Sequence, residues 1–547
     1  MNQPINIKYF ILILFALCSF ALPQRTQAVV PAPDGGYPGG NTAEGQAALF
    51  GLTTGGYNTA VGLFSLRSNT TSSFNTALGA GTLAVNHGDE NTATGAAALF
   101  SNTTATGDTA DGAFALFSNT TGVGNTAVGD RALFSNTTGF SNTANGVDAL
   151  FNNTTGNFNM AVGSFALYNN TDGFDNSGFG YGTLSNNIHG NANTAIGSGA
   201  LFFNTGDGNT ATGFNALILN TTGDGNTATG LRVLESNTTG IRNTANGVYA
   251  LNHNTIGGGN TAVGYQALAT STADSNTAVG NDALVADTTG GNNTALGAGA
   301  LLNNSIGGFN TALGAGALSN SNGLGNIGVG ANAGGNIMGA SNVICIGGGM
   351  LGADVSNTTW ISNIYAINTI SGTTLPVIVS DAGQLGTFSS SARFKKDVVD
   401  MKKVSEALLS LRPVTFHYKS DAKRTPQFGL IAEEVAKVNP ALLVPDKEGK
   451  PYTVRYDAVN VLLLNEFLKE HRKVQEQDAT IAQLRSTVTR QEASGAEQQK
   501  EITALGASLK DQAAQIQKVS AQLAAASPSR GGFEMTKRAP QMALNNQ

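Results

Sequence analysis

The residues best equipped for chemistry gather near position 390. Ser389-Ser390-Ser391 stand just before Arg393, Lys395 and Lys396. A serine hydroxyl is a weak nucleophile until a base removes its proton. A lysine can be that base when burial or nearby cations favour its neutral form. Taken alone, such a stretch reads as a solvated loop. Other candidates are sparse. Cys18 and Cys345 are the two cysteines, too few for a disulfide scaffold or a multi-cysteine metal site. His87, His189 and His253 fall at unrelated places in the repeat described below, so no metal or cofactor is expected. The acidic residues are scattered and show no paired-carboxylate signature. Asn-x-Thr triplets look like glycosylation acceptors, but turns of the repeat explain them more simply.

The elements that position these residues are of two materials. Of 547 residues only 12% are charged, with 70 Gly and 13 Pro. Gly has no three-residue period, which excludes collagen. The net charge of −6 gives no reason to expect nucleic-acid binding. Up to Phe388 there are 6 Lys/Arg and 18 Asp/Glu, a net of −12; from Ser389 there are 24 and 18, a net of +6.

A repeat fills Asn41 to Gly347. The unit is Asn-Thr-Ala-x-Gly-x-x-Ala-Leu followed by a polar Asn/Thr/Gly stretch. Its first position falls at 41, 58, 75, 91, 108, 125, 142, 159, 176, 193, 209, 226, 243, 260, 276, 293, 310, 326 and 342, giving 19 units. Asp108 replaces the Asn. A Gly follows the strand-like triplet in every unit, from Gly45 to Gly347. A unit of 16 or 17 residues cannot bury its own core and must stack on its neighbours. One coil of a parallel β-solenoid fits that length. The Asn column should bond amide to amide, Leu and Ala should fill a thin interior, and Gly should allow a close approach. Nineteen coils at ~4.8 Å each give a rod on the order of 90 Å. The core is lean in large residues, so several chains are expected to pack together.

The pattern Asn-Thr-Ala-Val-Gly resembles the Ser-Val-Ala-Ile-Gly-type repeats of trimeric autotransporter (YadA-like) adhesin heads. That resemblance covers roughly residues 41–347 and implies a left-handed, trimeric β-roll; the shaft is set at 29–347, and a host-surface, matrix or glycan ligand is expected for it. Regular Thr columns also suit an ice-binding solenoid. A fibre that binds or degrades glycans is the other alternative.

Residues 1–28 read as a secretory signal: Lys8, an apolar run from Tyr9 to Leu22, and small residues at Thr26 and Ala28. Cleavage before Val29 would remove Cys18 and leave Cys345 as a small buried apolar residue. No later run is long enough for a membrane span. The expectation is export to the cell surface or the medium.

Residues 348–389 break the repeat and read as a β-rich neck, with a strand in Trp360–Ile367 and a hairpin turn at Asp381-Ala382-Gly383. Next come Ser390-Ser391-Ala392-Arg393-Phe394-Lys395, then Phe428-Gly429-Leu430-Ile431-Ala432-Glu433-Glu434-Val435, Asn439-Pro440-Ala441-Leu442 and Val454-Arg455-Tyr456-Asp457-Ala458. This ordered set resembles the intramolecular chaperone domain of phage tailspikes and endosialidases, a self-cleaving serine peptidase with the motif Ser-Asp-x-Arg-x-Lys. The resemblance covers 390–475. It implies Ser390 as nucleophile, Lys395 as its base, Arg393 and Ser391 as supporting residues, and one cut of the Ser389–Ser390 bond after trimer assembly. Ser391 stands where the family often has Asp. Glu433 and Glu434 read as structural.

From Val461 the chain turns helical. Phe467, Val474, Ile481, Val488, Gly495, Ile502, Leu509, Ile516 and Leu523 recur every seven residues, joined by Leu484, Leu505 and Val519. That is a coiled-coil seam, set at 476–526 and compatible with a trimer. Residues 527–547 read as a disordered tail. The full expectation is a mainly β solenoid, a small α+β chaperone domain and a helical coiled coil, acting as an exported homotrimeric fibre with single-turnover self-cleavage.

Overall fold

The computed structural model describes residues 37–365, 367 and 374–526. The signal at 1–28 and the tail at 527–547 lie outside them. The chain divides into two units, residues 1–368 and 369–547.

The first unit is a parallel β-solenoid. Twenty three-residue strands run from β1 (Thr42–Glu44) to β20 (Thr359–Ile361), each pairing in parallel with the next coil's strand. Thr59 faces Thr76, Ala60 faces Ala77 and Val61 faces Leu78. In Thr-Ala-x only the central side chain points inward, as the two-residue period of a strand requires. Ala60, Ala127 and Ala211 are fully buried with Leu66, Leu133 and Leu217. This settles the inward face: Ala and Leu fill it, and the Thr column faces out. Cys345 takes the Ala place in its strand and is buried.

Two internal amide ladders hold the coils. In the first, the backbone N–H and Nδ2 of Asn58 both donate to Asn41 Oδ1, at 2.8 and 3.1 Å. Asn58 Nδ2 also donates to Ser72 O at 2.9 Å. A second ladder runs through Asn119, Asn136, Asn153 and Asn170, with Asn136 Nδ2 donating to Asn119 Oδ1 at 2.9 Å. The two ladders meet on shared carbonyls, as Asn58 and Asn69 do on Ser72 O. A buried amide unpaired in so dry an interior would be costly. The Asn-Thr-Thr triplets beginning at Asn69, Asn102, Asn119, Asn136, Asn153, Asn220 and Asn237 therefore present fully buried amides, not glycan acceptors.

The 16-residue coils shed one residue between the two ladders, in an outer turn. There the ladders bond each other: Asn91 Nδ2 to Asn86 Oδ1 at 3.3 Å, and Asn209 Nδ2 to Asn204 Oδ1 at 3.2 Å. Strand register is untouched.

The Gly column combines both reasons for glycine. Gly213 has φ +135, and a Cβ on it would stand 2.2 Å from Gly230 O. Less legible from the pattern, the core Leu also sits in the left-handed region: Leu66 at φ +47 and Leu217 at φ +52. That backbone costs a bulky residue on the order of 1–2 kcal/mol. The corner needs it to turn the side chain inward.

Two sequence expectations are corrected here. The last repeat unit is in register through Val343, not Asn342: Val343 N donates to Asn326 Oδ1 at 2.8 Å, and Ile344 pairs with Ile327. Asn342 is exposed at the turn, bonding Asn357. The strand foreseen over Trp360–Ile367 is confined to Thr359–Ile361, and it is a further rung of the solenoid paired with Ile344–Ile346. Trp360 there occupies the Ala position and is too large to enclose, at 37% exposure.

In the second unit, β21 (Ile378–Val379) and β22 (Leu385–Gly386) form the hairpin, turned at Gly383 with φ +81. Beyond residue 390 come a 3-10 turn (Ala392–Phe394), a 3-10 helix (Val404–Ser410), β23 (Val414–Phe416) paired with β24 (Gln427–Gly429), and α1 (Ala432–Val438). Then follow β25 (Leu443–Pro445) paired with β26 (Pro451–Val454), and α2 (Tyr456–Ala524). Val435, Leu442, Val454 and Leu462 make the small core, with Met401, Leu408 and Leu411 packed against it. The long helix starts at Tyr456, five residues before the apolar run that marked it in the sequence. Its 69 residues bury only Leu462.

Candidate active site

The 3-10 turn Ala392–Phe394 builds the site. Phe394 N donates to Ser391 O at 3.0 Å and Lys395 N to Ala392 O at 3.1 Å. Ser391 and Lys395, which bracket the turn, are both extended. The tight turn brings residues 390 and 395 side by side. Lys395 Nζ donates to Ser390 Oγ at 3.1 Å. A nucleophile and a base within hydrogen-bond reach is the first geometric requirement for their chemistry. Ser389, Ser390, Ser391, Arg393, Lys395 and Lys396 are all exposed.

The other motif residues lie apart from this contact. The Arg393 guanidinium packs over the Phe394 ring, 4.5 Å from its centroid. Ser391 makes no side-chain cap to the turn. Glu434 is a structural partner: its carboxylate receives Arg412 Nε at 3.1 Å and Nη2 at 2.5 Å. That bidentate bond holds Glu434 below the usual carboxylate range and pushes Arg412 up.

A set of anchors behind the site carries no motif. Ser405, the one buried residue of the 3-10 helix, donates to Glu466 Oε1 at 2.5 Å and accepts from Asn465 Nδ2 at 2.6 Å. The partners lie 60 and 61 residues away, so no local spacing points to them.

The shaft's titratable groups are structural. Asp108 stands in the first ladder and accepts from Asn125 N at 2.8 Å and Asn119 Nδ2 at 2.9 Å. Burial pushes its carboxyl up to about 7. Asp287 in the second ladder accepts from Ser271 Oγ at 2.7 Å, and burial pushes it up to about 7 as well. His189 pairs with Asp172 on the surface, and His87 Nδ1 contacts Val85 O at 2.9 Å. Among the described residues, no three His, Cys, Asp or Glu gather to hold a metal ion, and no helix is long and apolar enough to cross a membrane.

Residues 390–444 match the family described as chaperone of endosialidase. The match begins at Ser390, takes in the 3-10 turn, β23, β24 and α1, and ends within β25. Neither a curated protein nor a solved structure matches the chain. The chain thus joins a segment similar to the chaperone of endosialidase to a parallel β-solenoid of about 19 turns.

Proposed function

We propose that the chain is an exported homotrimeric fibre whose chaperone domain aligns three copies and then severs the Ser389–Ser390 bond. The observation that carries the reading is the Lys395–Ser390 hydrogen bond, in the segment that matches the chaperone family. In the reaction, Lys395 takes the Ser390 hydroxyl proton as Oγ attacks the Ser389 carbonyl carbon. The bond from that carbon to the Ser390 nitrogen breaks, and the nitrogen takes the proton back from Lys395. The ester left between Ser389 and Ser390 Oγ is hydrolysed by water, giving a Ser389 carboxylate and restoring the hydroxyl. Each chain is cut once.

Lys395 must be neutral to accept a proton. Burial of a lysine favours that form. In one chain the site is exposed. Contact between chains supplies the missing burial, which ties cleavage to assembly. The seam of α2 is the means of association: Ile481, Ile502 and Ile516 are 47%, 60% and 65% exposed in a single chain. Three parallel helices in register also guard against a one-coil slip of the shaft, where every strand offers a nearly native wrong partner. The shaft serves as an adhesin or surface element of the exporting cell.

Intact mass of the purified protein tests this. Wild type should give two pieces divided before Ser390, and Ser390→Ala one chain. An identical cut in both would remove Ser390 as nucleophile.

A further inference from the structure

We propose that Ser405, clamped by Asn465 and Glu466, is a positioning residue that couples helix association to the Ser390–Lys395 pair. The inference rests on the cleavage reading above and assigns its regulation.

The geometry has three parts. Ser405 is fully buried, with its hydroxyl used in both directions, donating to Glu466 and accepting from Asn465. Asn465 Nδ2 also reaches back to Lys402 O at 3.2 Å, so it grips the strand of chain that leads out of the site. Lys469 closes the set by donating to Glu466 Oε1 at 2.7 Å and lying 3.5 Å from Glu406. Met401 and Leu408, on either side of the clamp, pack against the cluster that contains Leu462.

The clamp's helix residues straddle Phe467, where the heptad seam begins. Six residues lie between Lys395 and Lys402. Residues 390–400 show no buried side chain of their own, so their downstream hold is Met401, Lys402 O and Ser405. Any turn or shift of α2 on joining its partners is passed to that hold. Removing the Ser405 hydroxyl takes one partner from each of these two, leaving Asn465 with Lys402 O and Glu466 with Lys469, so the link between the two helix residues is concentrated in one side chain.

The test uses the full-length chain. Ser405→Ala should form trimers by light scattering yet cut the 389–390 bond roughly 10-fold or more slowly, because a small misplacement of reacting groups is costly. Asn465→Ala keeps the Ser405–Glu466 bond and should slow the cut roughly 3-fold by the same principle; it decides the matter if Ser405→Ala does not fold. Ser405→Thr, which keeps the hydroxyl, should recover most of the rate. Trimers of either alanine variant cutting at the wild-type rate would overturn the coupling.

Amide exchange over residues 391–404 in the Ser390→Ala chain gives a readout that needs no cleavage. Adding Ser405→Ala should speed exchange there by about 10-fold while β25 and β26 keep their protection. Unchanged exchange sinks the clamp. A wild-type chain that is never cut sinks the cleavage reading alone, and the exchange result still judges the clamp.

Discussion

Leu66, Leu133 and Leu217 are wholly enclosed by the coils on either side of them, whereas Ile481, Ile502 and Ile516 stand half exposed on a helix that buries only Leu462. Both regions are built from strict repeats of apolar residues, 16 or 17 apart in one and seven in the other. They differ in where the partner surface comes from. A solenoid coil finds it one turn along the same chain, so each contact is local and each ladder bond spans about one coil. The helix has no such neighbour along its own chain, and in the assembly proposed above another chain supplies the surface its apolar stripe lacks. The shaft therefore encloses its own apolar repeat, and the helix leaves its repeat exposed.

Substitutions that strike one region and spare the other sharpen this contrast. The largest effect is expected from Ile481→Asp, which puts a charge into the seam. Light scattering should then report the mass of one chain. An oligomer that survives would mean the chains meet elsewhere.

Next is Gly213→Val. Its Cβ would meet Gly230 O at 2.2 Å in a backbone with φ +135, so the loss should be about 3 kcal/mol or more. Gly208 has φ +64 and nothing within 4 Å, so Gly208→Ala should cost only about 1 kcal/mol. Urea midpoints distinguish the two.

The buried carboxyls give a pH signature confined to the shaft. Asp108 and Asp287 are raised from 3.8 to about 7, so the folded state holds protons that the unfolded chain releases. Their stabilising contribution is complete below about pH 4 and is lost as pH rises through about 7. The upper limit is on the order of 4 kcal/mol for each. Asp108→Asn completes the ladder with a donor, and should flatten its share of the slope and raise the midpoint near neutral pH. A slope unchanged by Asp108→Asn would mean that this carboxyl is ionised in the fold.

The smallest effect belongs to Arg412→Ala. Its bond to Glu434 is bidentate but solvent-exposed, and such pairs contribute little. The urea midpoint of the second unit should not move measurably.

The two regions were also unequally legible. The period alone leads to stacked coils, the inward Ala and Leu, and the amide column through Asn41 and Asn58. The second ladder was hidden because Asn119-Thr120-Thr121-Gly122 has the chemistry of an ordinary turn. Nothing in a Leu announces φ near +50, since the corner is imposed by the fold and opposed by the residue. Asn342 misled for a simple reason: it lies beside the ladder position held by Val343. Near the site, the residues 390 and 395 came from a motif resemblance, and the turn at 392–394 supplies a local reason for their contact. Ser405 was invisible, because its partners are brought to it only by the packing of α2.

The shedding of one residue in the outer turn of certain coils, with both ladders kept in step, makes the shaft modular. Removing a whole coil, such as residues 226–242, joins two junctions that already match, and shortens the rod by about 4.8 Å. Duplication lengthens it by the same step. Unequal crossing-over between near-identical repeats can thus set the number of coils, leaving residues 390–444 unchanged. Solenoid length becomes a heritable quantity, adjustable in single increments.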